Sequence, residues 1–265
     1  AALAEQSEEG SGIVYCATRK NVDKVAARLE ERGLSVGRYH AGMNEAERAE
    51  AQRAFMSGEA RLMVATNAFG LGIDKPDTRF VAHHELPGSL EAYYQEAGRA
   101  GRDGKDADCV LFFNYADVHV QQFFIERIGA GGDEGPHAAP VPAQIARLQA
   151  IERAKLRRML DYCYTEDCRQ HLILRYFGER VEPGECCGTC DLCTTRLGER
   201  APDWAQPKHA TAAPQKRKKK VNGEGETRER EPVKLEAPAI PNGEQLIVLQ
   251  KVLSAYARSK GRLSR

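Results

Sequence analysis

Short apolar runs alternate with stretches of helical spacing from residue 12 to residue 127, and no other feature limits the possible folds so tightly. Residues 12–16 form an apolar run of strand length, after which Val22, Val25, Ala26 and Leu29 recur at helical spacing until Gly33 supplies a stop. Residues 34–40 read as the next strand. Asn44 followed by Glu47 has the spacing of a capping box, in which each side chain takes the other's backbone N–H, and the helical pattern then runs through Phe55 to Gly58. Residues 62–65 and 78–82 are further strands, Ser89 can cap a helix through Tyr94, and residues 109–113 close the series. Strands separated by helices predict an α/β fold: a parallel sheet covered by helices on both faces, with ligand-binding loops at the carboxyl ends of the strands.

The 265 residues are enough for one core of ordinary size plus a small second module. Residues 129–142, rich in Gly, Pro and Ala, read as a linker. A charged helical pattern follows over 144–161 and continues through 162–168 and 171–177, suggesting a helical hairpin. Residues 199–243 are polar and include the basic run 216–220; they cannot bury enough apolar surface to order themselves. Beyond them Leu246, Leu249, Leu253 and Tyr256 share one helical stripe, which predicts a helix within 244–265. The formal net charge is only +1, so a nucleic-acid-binding face would have to come from local clustering. No apolar run approaches the roughly 20 residues of a membrane span, and the N-terminus lacks a secretory pattern. The expectation is a cytoplasmic protein with no membrane partner. Because the chain starts at Ala1 and ends abruptly at Arg265, it also reads as part of a longer protein.

Eight cysteines in such a setting suggest metal ligands or buried thiols rather than disulfides. Cys16 and Cys109 each lie in an apolar run, as small buried hydrophobes do. The other six crowd into 163–193. Cys187-x-x-Cys190-x-x-Cys193, preceded by Cys168, has the crowding of a tetrahedral thiolate site: two residues between ligands let the backbone turn and bring both sulfurs about 2.3 Å from one zinc ion. Gly188 eases that turn. Cys186 competes with Cys187 for the position, and His171, one turn from Cys168, is a conceivable ligand.

Residues 92–104 place two arginines three apart, Arg99 and Arg102, each directly after a glycine. A guanidinium is always charged and its planar fork matches phosphate oxygens two at a time, while glycine lets the backbone come close to the ligand. Read as Gln95, Gly98, Arg99, Gly101 and Arg102, the run resembles motif VI of the superfamily 2 helicases. Residues 11–19 resemble motif IV, residues 39–43 the segment that follows it, and residues 64–75 motif V in the form carried by RecQ-type DNA helicases. RNA-directed DEAD-box relatives usually have histidine where this chain has Gln95. The resemblance is therefore to RecQ, from about residue 11 to about residue 195, and the cysteine segment is similar to the RecQ zinc module, with Cys168, Cys187, Cys190 and Cys193 at the four ligand positions.

That resemblance implies a RecA-like domain over 1–128, a helical hairpin and zinc module over 129–198, a disordered charged linker over 199–243, and the first helix of a truncated winged-helix domain over 244–265. It implies an ATP-dependent 3′-to-5′ DNA helicase of repair and recombination, acting in the bacterial cytoplasm at the nucleoid. ATP and Mg²⁺ would be held largely by an N-terminal RecA-like domain, since no G-x-x-x-x-G-K-[ST] loop occurs here; residues 1–265 alone are expected to be inactive. Arg102, with Arg99, would reach the γ-phosphate, Gln95 would couple motif VI to the cleft, and Asp74 and Gly72 would lie near the nucleotide. Thr18, Arg19, His40, Gly42 and Thr66 would grip single-stranded DNA, with duplex DNA as the substrate to be opened. One structural Zn²⁺ would sit in the four-thiolate site. Two rival readings stand beside this: a non-catalytic DNA- or partner-binding protein that kept the fold, and half of a DEAD-box-like RNA helicase, which Gln95 and the cysteine module oppose.

Overall fold

The apolar runs of the N-terminal half form five parallel strands, β1 (Ser11–Tyr15), β2 (Val36–Tyr39), β3 (Leu62–Ala65), β4 (Thr78–His83) and β5 (Asp106–Phe113), laid side by side in the order β2, β3, β1, β4, β5. The computed structural model describes residues 10–70, 73–129, 141–182, 186–196 and 246–253. Between and after the strands run α1 (Arg19–Glu30), α2 (Glu45–Ser57), α3 (Leu90–Ala97), α4 (Tyr115–Glu126), α5 (Pro142–Tyr164), α6 (Arg169–Tyr176) and α7 (Asp191–Arg196).

The helix starts follow from their caps. Thr18 accepts the N–H of Asn21 at 3.2 Å, Asn44 and Glu47 close the expected capping box, and Ser89 accepts the N–H of Ala92 at 3.1 Å. Gly58 ends α2 at φ +85°, a left-handed conformation open to glycine at no steric cost.

Side chains alternate across the sheet with the period of two that a pleated strand imposes. Ile13, Met63, Val81, Cys109 and Leu111 face α2 through Phe55, α3 through Leu90 and Tyr93, and α4 through Val118. Val64 and Cys16 face the other way, onto Val22 and Ala26 of α1. Helices on both faces of a parallel sheet are thus observed. Burial pushes the Cys16 thiol up to about 12 and the Cys109 thiol higher still, so both behave as buried hydrophobes.

One expectation needs correction. Leu246–Leu253 is not helical: it forms β6, which pairs antiparallel with β5 along its whole length and makes the sheet mixed. Leu246, Leu249 and Leu253 fit a helical stripe, but Ile247, Val248 and Val252 between them are β-branched, and β5 offers an unpaired edge of eight residues. Tyr256 and the rest of the segment lie outside the described residues, as does the linker over 199–243. The hairpin, for its part, does not pack as a unit of its own: Leu156, Met159 and Tyr162 of α5 and Ile173 of α6 belong to the same buried cluster as the sheet. Only Cys168, Cys190 and Cys193, with Cys187 and Leu192 against them, form a separate core.

Candidate functional site

At the carboxyl ends of β1, β2 and β3 the structure gathers five of the anticipated residues. Arg19 begins α1 directly after β1, and a Cβ placed on Gly42 would lie 3.2 Å from both Arg19 Cδ and His40 Nδ1. The Gly42 N–H donates to His40 Nδ1 at 3.1 Å, while His40 Nε2 is 3.4 Å from Asp23 Oδ1. Thr66 follows β3, and its N–H donates to the carbonyl of Tyr39 at 3.1 Å, which sets it beside His40. The Thr18 hydroxyl is engaged as the cap of α1. A residue not anticipated holds this loop in place: Glu85 accepts the N–H of Ala17 at 2.8 Å and the side-chain amide of Asn21. An exposed guanidinium, hydroxyls, an imidazole and a glycine backbone, held in place by one another, suit a ligand recognised by its repeating phosphates.

The arginines of motif VI lie just beyond the end of α3. α3 carries the chain back across the sheet, and the N–H of Gly101 donates at 2.9 Å to the carbonyl of Thr78, the first residue of β4. The arginines there meet the loop that connects β3 to β4. Arg99 Nη1 and Arg102 Nη1 each donate to the Ile73 carbonyl at 3.3 Å, and Arg102 Nη1 also meets Asp74 Oδ1 at 2.7 Å. A Cβ on Gly70 would come within 2.5 Å of Arg99 Nη2, so a larger residue there would push the guanidinium aside. The Arg102–Asp74 pair stands in solvent, with side chains 36% and 78% exposed, and such a pair is worth only about 0–1 kcal/mol. A phosphate can displace it. Arg99 is half-buried, and its Nε has no acceptor. Gln95 is exposed one turn before Arg99. Gly72 lies outside the described residues.

Around Arg99 is a buried polar group that sequence reasoning missed. Tyr15 at the end of β1 donates its hydroxyl to the Phe69 carbonyl at 3.1 Å, next to the Arg99 side chain, and burial raises its pKa far above the ordinary value. His83, only 1% exposed, pairs with Glu96 at 2.7 Å and stacks on Tyr15 at 5.4 Å between ring centres. Both His83 and Tyr15 sit in apolar strands and read as core residues in the sequence.

The cysteine cluster is resolved in favour of the four expected ligands. The Sγ atoms of Cys168, Cys187, Cys190 and Cys193 lie within 4.8 Å of one another, and zinc–sulfur bonds of about 2.3 Å in a tetrahedron require roughly 3.8 Å between sulfurs, so a zinc ion fits. Cys186 is exposed outside this group, and His171 does not join it. Gly188 adopts φ +71°, the left-handed turn that lets Cys187 and Cys190 share a centre. Hydrogen bonding from the Cys190 thiol, and then from Thr189 and the backbone, holds the Cys187 thiol well below its usual range, while that bond and burial push the Cys190 thiol up. Arg169 and Asp191, each directly following a ligand in sequence, form a two-pronged ion pair at 2.6 and 2.9 Å, and Arg169 also donates to the Tyr162 carbonyl at 2.7 Å.

A parallel RecA-like sheet, a glycine-arginine loop meeting the motif V segment and a four-thiolate centre define the C-terminal motor domain of a superfamily 2 helicase with an attached zinc module. Residues 1–104 match the helicase conserved C-terminal domain and residues 115–194 match the RecQ zinc-binding family. The chain belongs to the RecQ helicase family. It is similar to the ATP-dependent DNA helicase RecQ of Bacillus subtilis, at 45% identity over 72% of this chain and 29% of that protein. The ATP-dependent DNA helicase hus2/rqh1 of Schizosaccharomyces pombe is 42% identical over 69% of this chain and 13% of its own length, and the ATP-dependent helicase SGS1 of Saccharomyces cerevisiae is 36% identical over 72% and 12%. The chain thus spans less than a third of these relatives. Among solved structures, S. cerevisiae Dbp5 bound to RNA and ADP BeF3 overlaps 58% of this chain and 40% of its own at 23% identity and a TM-score of 0.39, too loosely to add to the argument.

Proposed function

We propose that this chain supplies the second motor domain and a single structural zinc site to an ATP-dependent 3′-to-5′ DNA helicase, working on duplex DNA at the nucleoid of the bacterial cytoplasm. The observation that carries the reading is the convergence of Arg99 and Arg102 on one carbonyl beside Asp74: two positive forks are gathered at a loop, and among the described residues the carboxylate paired with Arg102 is exposed and has a weak hold. A first RecA-like domain would hold ATP and Mg²⁺. Arg102 then exchanges Asp74 for the γ-phosphate, Arg99 approaches from its half-buried seat, and Asp74 is released toward the nucleotide. An arginine used in this way stabilises charge on the transferring phosphoryl group and is typically worth about 10³–10⁵ in rate. Gln95, exposed on the same helix, faces the cleft.

The residues from Thr66 to Asp77 join the two regions, because Thr66 lies beside His40 at the strand ends while Ile73 and Asp74 lie on the arginines. A shift of this loop as the arginines change partner moves Thr66 against a strand gripped by Arg19, His40 and Gly42, and repetition of the cycle gives one-way stepping. The polarity and the DNA substrate rest on the RecQ resemblance. The zinc is structural in this reading because four thiolates close its coordination sphere and leave no position for a reacting water. Joining this chain to a RecA-like domain that carries a phosphate-binding loop should give ATP hydrolysis stimulated by single-stranded DNA. A folded, DNA-binding protein with no turnover would favour the non-catalytic alternative.

A further inference from the structure

The zinc module reaches the arginine cluster through an unbroken line of buried groups. Arg169, beside the thiolates and 3% exposed, donates to the Tyr162 carbonyl and lies 5.5 Å over the Tyr162 ring. Tyr162 donates its hydroxyl to that of Tyr93 on α3 at 3.2 Å, and the Tyr93 ring lies 5.0 Å from that of His83. His83 Nε2 meets Glu96 Oε2 at 2.7 Å; with a carboxylate as partner, that nitrogen carries the proton and donates. Glu96 in turn accepts the N–H of Arg99 on its main-chain carbonyl at 3.2 Å. A second tie holds the same helix, since Tyr176 of α6 donates to Glu91 of α3 at 2.6 Å.

Stability alone does not account for this line. A buried imidazole–carboxylate pair loses hydration that apolar side chains of similar volume would not lose, and His83 Nδ1 is left buried with no partner. What the pair does gain is position: it fixes the last turn of α3, which ends two residues before Arg99, a residue whose guanidinium Nε has no acceptor. Placement matters most for such a group, because a shift of about 1 Å in a reacting geometry can cost on the order of a hundredfold in rate.

We propose that His83 and Glu96 are positioning residues for Arg99, anchored through Tyr93 and Tyr162 to the zinc module. This rests on Arg99 serving a triphosphate. In the protein joined to its first RecA-like domain, Glu96→Ala should lower kcat for ATP hydrolysis about tenfold while leaving KM and single-stranded DNA affinity within twofold, and Tyr162→Phe should lower it about threefold with zinc content unchanged. Glu96→Gln, which still accepts from His83, should recover most of the loss. Unchanged kcat in Glu96→Ala, or a loss that follows thermal stability and is not rescued by Gln, would overturn the proposal. A second readout needs no activity: in this chain alone, the nitrogen-15 signal of Arg99 Nε–H should exchange slowly with water and should do so much faster in Glu96→Ala. Equal exchange would overturn the positioning role even if the wild type turned over ATP; a wild type without turnover but with the exchange difference would reject the helicase reading and leave the positioning of Arg99 standing.

Discussion

The two polar regions of the sheet domain are built on opposite terms. At the carboxyl ends of β1 to β3, Thr18, His40 and Gly42 satisfy one another or cap a helix, and the loop is braced from below by Glu85. Where α3 returns to the start of β4, two guanidiniums share one carbonyl, one of them also meets an exposed carboxylate, and the Nε of the other has no acceptor. A set of satisfied groups can hold a repeating backbone without changing shape. An undersatisfied pair of cations is poised to exchange partners, and the difference separates a grip from a trigger.

The sharpest way to break that contrast is Arg102→Ala in the protein joined to its first RecA-like domain. It should lower kcat by about 10³ or more with DNA affinity unchanged, as measured by steady-state hydrolysis and anisotropy on one sample. Removal of zinc by a chelator comes next. Residues 186–196 should lose their fold, seen as loss of hydrogen-exchange protection, while β1 to β5 stay protected because α5 packs into the sheet's own core. Protection lost throughout would show that the sheet depends on the metal. Arg169→Ala breaks the same module without touching a ligand and leaves Asp191 uncompensated, a loss of about 3–5 kcal/mol expected in the thermal unfolding of the zinc-loaded protein. Arg19→Ala should weaken single-stranded DNA binding by about tenfold and reduce its salt slope by about one counterion, with kcat at saturating DNA intact. The smallest effect belongs to Asp74→Asn, which frees Arg102 and should change the apparent ATP affinity by only a few-fold, since the exposed pair it removes is weak.

Much of this arrangement was legible in the sequence, for identifiable reasons. Period-two and period-3.6 patterns are strong in residues 11–65, and the strands there fall within two residues of expectation. Cys187, Cys190 and Cys193 were legible because their spacing is local, whereas Cys168, well upstream, was fixed as the fourth ligand by the RecQ resemblance. Where β6 replaced a helix, a short apolar run satisfied both periods, and only an open edge elsewhere in the sheet decided between them. The meeting of motif VI with the loop after β3 was not legible, because spacing does not say to which end of a sheet a helix returns. His83 and Tyr15 were hidden for a related reason: a titratable side chain in an apolar strand looks like core until its partner, Glu96, arrives from another element. Arg169 and Asp191 did leave a signal, each standing next to a cysteine ligand, with opposite charges and 22 positions apart.

The central claim is that Arg102 leaves Asp74 for the γ-phosphate of a nucleotide held by a companion domain. The most direct measurement is the affinity of the joined protein for ADP with aluminium fluoride, a mimic of the transferring phosphoryl group, relative to ADP alone, in wild type and in Arg102→Ala. The account predicts a strong preference for the mimic in wild type that collapses in the variant while ADP affinity stays the same. A preference that survives the loss of Arg102 would contradict it.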